Sequence, residues 1–160
     1  MVETVPFLDL TREYDELGDE MVEHVDRVLS EGLFILDEQV DRFETGFAEY
    51  VGAEHGIGVN SGSDALYLAL RALDIQQGDE VILPSHTFIS TADAIVRSGG
   101  TPVFVDIDPE TYTIDPEAVK EQLTPDTAAV IPVHLYGQPA EMAPLQDLAA
   151  EHDLAIIEDA

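Results

Sequence analysis

Asn60-Ser61-Gly62-Ser63-Asp64 is the stretch of this sequence best suited to holding an anion. It follows a short apolar run and opens a segment of helical apolar spacing. A glycine that permits close backbone approach, a hydroxyl and unpaired backbone amides therefore meet at the positive end of a helix. A phosphate group suits that chemistry. An ordinary strand-to-helix turn with Ser63 as its N-cap suits the same residues, and the five residues alone leave both readings open. Two more polar stretches follow apolar runs: Pro84-Ser85-His86-Thr87-Phe88, and Glu158-Asp159-Ala160, which closes a strand with an acid.

Competing chemistries fit less well. Gly56-Ile57-Gly58-Val59-Asn60-Ser61-Gly62 carries three glycines, but two fall in the expected strand and the spacing is one residue too long for a dinucleotide fingerprint. The next strand also ends in Leu83-Pro84, without the acid that would bind a ribose. No Gly-Lys-Ser/Thr occurs, so a Walker-type loop is absent. His24, His55, His86, His134 and His152 lack ligand-like spacing and there is no cysteine, so no metal site is expected. His134, in Val133-His134-Leu135-Tyr136-Gly137, follows a strand at the same rim as the phosphate cradle. It either lines a ligand or satisfies backbone groups at the turn.

These residues need elements to position them, and the apolar period supplies them. Tyr14, Leu17, Met21, Val25 and Val28 recur at three and four, as do Val40, Phe43, Phe47 and Tyr50, so two amphipathic helices come first. Short β-rich runs then alternate with helical stretches: 56–59, 80–83, 102–105, 129–132 and 154–157. Such alternation is the signature of an α/β domain with buried parallel strands. The helix from Ala65 to Leu73 is apolar almost all round and is expected to be covered on most sides. Asp115-Pro116-Glu117 starts a further helix with a capping acid and a first-turn proline, and Thr124-Pro125-Asp126 is turn chemistry after it. Met142, Leu145, Leu148 and Ala149 mark the helix before the last strand. In an open α/β sheet, ligands bind beyond the carboxyl ends of the strands, which is where the polar stretches fall.

Composition limits the partners. At 160 residues and 45% hydrophobic content the chain can bury one domain's core, and it shows no internal repeat, linker or domain boundary. The absence of cysteine, of a membrane-length apolar run and of a leader at Met1-Val2-Glu3 makes a cytoplasmic protein the expectation. A formal charge of -28 repels nucleic acid and anionic lipid, so neither is an expected partner. The acids are scattered along periodic segments rather than gathered in a tail. That pattern resembles proteins of salt-accumulating halophiles, whose self-repulsion is screened by ions.

Taken in order, Asn60-Ser61-Gly62-Ser63-Asp64-Ala65-Leu66, Gly78-Asp79-Glu80-Val81-Ile82, Thr87-Phe88, Pro102-Val103-Phe104-Val105-Asp106, 131–137 and Ile157-Glu158-Asp159-Ala160 resemble the DegT/DnrJ/StrS sugar aminotransferases. The resemblance begins at Pro6-Phe7-Leu8-Asp9-Leu10 and covers essentially the whole chain, though only the amino-terminal part of a family member. It implies a three-layer α/β/α fold: the first part of the large pyridoxal 5′-phosphate domain of an aspartate-aminotransferase-like, fold-type-I transferase. Residues 1–52 would be its amino-terminal helices and 53–160 the βα units of the sheet. By matching position, Gly62, Ser63 and the backbone of Asp64 would form the phosphate cup, Phe88 would stack on the pyridine ring, and Asp159 would pair with the protonated ring nitrogen.

The implied reaction is transfer of an amino group, with glutamate as donor, to a nucleotide-linked keto sugar by a homodimer. The family's Schiff-base lysine is expected beyond Ala160. The single lysine, Lys120, lies on a charged helix and is expected to be a solvated surface residue, so no catalytic residue is assigned in this stretch and it is expected to be inactive alone. A sugar dehydratase relative, with histidine in place of the lysine, and a non-catalytic protein of the same fold are the alternatives. One departure stands out: Phe34-Ile35-Leu36 runs into Asp37-Glu38, where similar proteins have Gly-Pro, so the turn there is expected to differ. From the charge, we expect the fold to loosen in dilute buffer and tighten in concentrated potassium chloride, as read by circular dichroism; a spectrum indifferent to salt would remove the halophile reading.

Overall fold

Strand β1 (Glu80–Pro84) is buried on both faces, with Val81, Ile82 and Leu83 each at 0% exposure in the computed structural model. The structure describes residues 5, 6 and 8–160. Phe7 of the family-like opening, and Met1, Val2 and Glu3 on which the leader expectation rests, lie outside the described residues. The chain divides into two compact units, Met1–Gly58 and Val59–Ala160.

The first unit holds helices α1 (Thr11–Glu31) and α2 (Glu38–Val51). Their apolar spacing matches the periodicity of the sequence, and on α2 Phe43 stacks on Phe47 one turn away at 5.7 Å between ring centroids. Neither helix has a basic residue in its last turn; both end instead at a left-handed glycine, Gly32 (φ 70) and Gly52 (φ 74). The Asp37-Glu38 departure has a local use. Asp37 is the N-cap of α2, its carboxylate accepting the Gln39 N–H at 3.0 Å, and Glu38 begins the helix.

Residues 56–59, expected as a strand, form none. No ladder reaches them among the described residues, Ile57 is 81% exposed, and the Gly58 amide donates to Glu44 Oε1 at 2.6 Å. An apolar run becomes a strand only when a neighbour takes its backbone groups, and here none does.

In the second unit, β1 and strands β2 (Thr101–Val105), β3 (Thr127–Val130) and β4 (Ala155–Ile156) form a parallel sheet in the order β2-β1-β3-β4. Side-chain alternation divides the core. Val81, Leu83, Ala129 and Ile131 pack with Leu66, Leu70 and Ile95 of helices α3 (Gly62–Ala72) and α4 (Ile89–Ser98). Ile82, Val105 and Val130 pack with Val119 and Leu145 of helices α5 (Pro116–Gln122) and α6 (Met142–His152). The result is a three-layer α/β/α arrangement, part of a fold-type-I domain. Helix α3 is covered on one side only: Leu66 and Leu70 are buried, but Leu68 is 49% exposed and Leu73 45%. Its apolar outer face therefore corrects the expectation of cover on most sides.

Asp115 caps α5 as its sequence indicates, accepting the Glu117 N–H at 3.0 Å. Among the described residues no helix is long and apolar enough to cross a membrane, and no three acidic or histidine side chains gather as a metal site.

After β2 the chain turns around Asp108, whose Oδ1 accepts the Thr111 N–H at 2.9 Å and the Glu110 N–H at 2.7 Å. Those backbone donors, Thr111 first, hold its carboxyl below the ordinary value. A depressed folded-state pKa contributes stability above the unfolded value and loses it as pH falls through the folded value. Asp108→Ala should therefore be less stable than the parent near neutral pH, with the gap closing as the pH drops below the carboxylate range. Denaturant midpoints measured across pH test this, and a gap that persists in acid would show that the loss is not electrostatic.

Candidate functional site

The cleft begins at the start of α3. Ser61 is the N-cap: its backbone is extended (φ -164) and its Oγ accepts the Asp64 N–H at 3.2 Å. The capping role therefore belongs to Ser61 rather than Ser63. That leaves the Ser63 hydroxyl free to donate to Ser90 Oγ on α4 at 2.7 Å. The amides of Gly62 and Ser63 face the helix end without an intrahelical acceptor, whereas the Asp64 amide is taken by the cap. An added Cβ on Gly62 would meet no protein atom within 4 Å. Neither backbone strain nor packing requires glycine there, so its absent side chain leaves space for a ligand instead.

The second wall comes from the end of β1. The chain leaves the strand with the Ser85 amide bonded to Val105 O at 2.8 Å and re-enters helix at Phe88, the N-cap residue of α4. Phe88 is 73% exposed. A phenyl ring left mostly in water at the carboxyl edge of a sheet is not core; it is a largely uncovered flat apolar face.

The third wall is Asp159, which lies just past β4 and is held by backbone pairing. Its amide donates to Pro132 O at 2.9 Å and its carbonyl accepts the His134 amide at 2.8 Å, an isolated parallel bridge to Val133. Its carboxylate Oδ2 accepts from Thr91 Oγ1 at 2.9 Å. Gly62, Ser63, Phe88 and Asp159 line one cleft, together with Leu66, Ser90 and Thr91.

Of the residues singled out from sequence, Asp64 is not on the cleft wall. His134 is also absent from it: its Nδ1 accepts the Ala140 N–H at 3.1 Å, so Nε2 carries the proton that it donates to Glu158 Oε2 at 2.8 Å. It thus satisfies backbone at the turn. Lys120 is exposed on α5, whose core contacts lie on the sheet face opposite to α3 and α4. Sequence reasoning missed Ser90 and Thr91. The signal was available in Thr87-Phe88-Ile89-Ser90-Thr91, where hydroxyls recur through the first turn of a helix.

A flat heterocycle bearing a phosphate and a protonated ring nitrogen fits this cleft. Helix-end amides suit the dianion, the Phe88 face suits the ring, and the Asp159 carboxylate suits the N–H.

Comparison with known proteins shows the family. Residues 15–160 match the DegT/DnrJ/EryC1/StrS aminotransferase family. The chain is 49% identical over 156 residues to a dTDP-3-amino-3,4,6-trideoxy-alpha-D-glucose transaminase of Streptomyces venezuelae, covering 98% of this chain and 41% of that protein. It is 47% identical over 156 residues to a pleiotropic regulatory protein of Geobacillus stearothermophilus, covering 98% and 42%. It superposes with a TM-score of 0.95 on ntda from Bacillus subtilis with bound cofactor PMP, at 36% identity, covering 100% of this chain and 37% of that one. The chain thus spans about two fifths of the length of the curated relatives it matches.

Two substitutions separate a ligand cradle from an ordinary turn. Ser63→Ala removes a hydroxyl that can turn from Ser90 Oγ to a phosphate, and should weaken binding of pyridoxal 5′-phosphate to the full-length protein by about 1–3 kcal/mol, the worth of one charge-assisted hydrogen bond. Gly62→Val should weaken it further with little change in the thermal midpoint, since a Cβ added there meets no protein atom within 4 Å. Calorimetric titration with parallel melting curves measures both, and unaltered affinity in either variant would remove the cradle.

Proposed function

The chain belongs to the DegT/DnrJ/EryC1/StrS aminotransferase family, and from that premise we propose that it forms the cofactor-holding part of an enzyme that moves an amino group from glutamate to a nucleotide-linked keto sugar. The observation that carries the reading is the single cleft in which Gly62 and Ser63, Phe88 and Asp159 meet at the carboxyl ends of the strands. Pyridoxal 5′-phosphate, when bound, supplies a conjugated ring that takes up the electron pair released as the α-proton leaves the amino donor. The residues of this chain bind and orient it. Gly62 and Ser63 receive the phosphate at the positive end of α3, and Phe88 covers one face of the ring and keeps water from it. Asp159 accepts the ring N–H and so keeps a proton on that nitrogen, where positive charge makes the ring a better electron acceptor.

The reading assigns the reacting amine to a residue outside these 160. Lys120 is exposed and is not on the cleft wall. A lysine that forms a covalent bond to a carbonyl must be desolvated and close to it, and Lys120 is neither. We extend the proposal to a homodimer. Met21, Val25 and Leu29 on α1, and Phe43 and Phe47 on α2, are each more than half exposed, which supports a further protein surface against that unit. In the full-length protein, borohydride reduction after loading with pyridoxal 5′-phosphate should label one lysine other than Lys120, and glutamate should transfer its amino group to a dTDP- or UDP-linked keto sugar. Stoichiometric label on Lys120, or no transfer to any nucleotide-linked keto sugar, would overturn the assignment.

A further inference from the structure

Thr91 stands behind the cleft with its side chain sealed from solvent, 1% exposed, on the first turn of α4. Its hydroxyl donates to Asp159 Oδ2 at 2.9 Å, across 68 residues of sequence. Thr91 Oγ1 also lies 2.9 Å from Thr87 Oγ1. A threonine hydroxyl has one proton, and a carboxylate has none to give. The Thr91 proton is committed to Asp159, so the Thr87 hydroxyl must be the donor in the second contact. The two threonines form a one-way relay, Thr87 to Thr91 to carboxylate, in which each bond polarises the next.

We propose that Thr91 is the positioning residue that presents Asp159 to a protonated ring nitrogen. The backbone of Asp159 is already fixed by Pro132 and His134, so what remains free is rotation of the side chain. Thr91 removes that freedom. It takes Oδ2 and leaves Oδ1 as the oxygen for an N–H donor in the cleft. Its own anchorage is the helix that begins at Phe88, so the stacking face and the carboxylate are set by one rigid element. Thr87 adds to this by holding the Thr91 hydroxyl in the rotamer that points at the acid.

The inference rests on the proposed function, and its test separates the two. The full-length protein is stripped of cofactor and titrated with pyridoxal 5′-phosphate labelled with nitrogen-15 in the ring, giving affinity by calorimetry and ring-nitrogen protonation by the label's chemical shift across pH. Thr91→Val keeps the shape and removes the donor. It should weaken binding about tenfold, the loss of one charge-assisted hydrogen bond, and should lower the pH at which the ring nitrogen releases its proton. Thr91→Ser should restore both values. In an Asp159→Asn background Thr91→Val should cost nothing further, because the partner it orients is gone.

Parent-like behaviour of Thr91→Val overturns the inference, as does a loss of equal size in the Asp159→Asn background, which would mark a packing role. If Thr91→Val does not fold, Thr87→Val carries the same measurement: a smaller loss in the same direction supports the relay, and none removes it. A parent protein that binds no pyridoxal 5′-phosphate overturns the proposed function together with this inference, whereas a binding parent with an unaffected variant overturns the inference alone.

Discussion

Strand β1 has no face left for water, and the second unit is arranged to meet that condition. Val81 and Leu83 enter one hydrophobic cluster and Ile82 the other, so helices are needed on both sides of the sheet. Parallel pairing on both edges of β1 requires crossovers, and those crossovers are the helices. With the faces closed in this way, the polar segments have only the strand ends to occupy. Two walls of the cleft follow from the sheet, since Phe88 lies past the end of β1 and Asp159 past the end of β4, and the start of α3 supplies the third.

The cleft also shows how charges of opposite sense are kept apart in a chain dominated by acids. At one side stand helix-end amides, with no cationic side chain among the lining residues. At another stands a single carboxylate whose second oxygen is claimed by a buried hydroxyl. Under the proposed function, an anionic group and a protonated ring nitrogen on one flat ligand would answer to those two ends, with the exposed phenyl ring as the wall between them.

Two of the five arginines of the chain join the helices beside the cleft. Arg71 donates to the carbonyls of Ile75 and Ser98 at 3.4 and 3.3 Å, joining the end of α3 to the end of α4. Arg97 lies 4.6 Å over the Tyr67 ring, a second link between the same helices. The two helices whose amino ends flank the cleft are therefore tied at their opposite ends. This helps to hold Ser63 on α3 against Ser90 on α4.

Sequence by itself determined the α/β class, the two leading helices, the cap at Asp115, and the four stretches that could hold a ligand. Those properties are local: a hydrophobic period, a cap, or a polar run after an apolar one is written in consecutive residues. Tertiary structure decided the rest. Residues 56–59 have the composition of a strand, but among the described residues no strand pairs with them, and pairing is not a local property. Ser61 and Ser63 are interchangeable as caps in sequence, and only the position of Ser90 on α4 shows which of them faces the cleft. The hydroxyls of Ser90 and Thr91 look like ordinary helix-start residues until the fold carries Asp159 back to them. A contact across 68 residues depends on the order in which strands pair, and strand order is set by the whole buried core rather than by any segment of it.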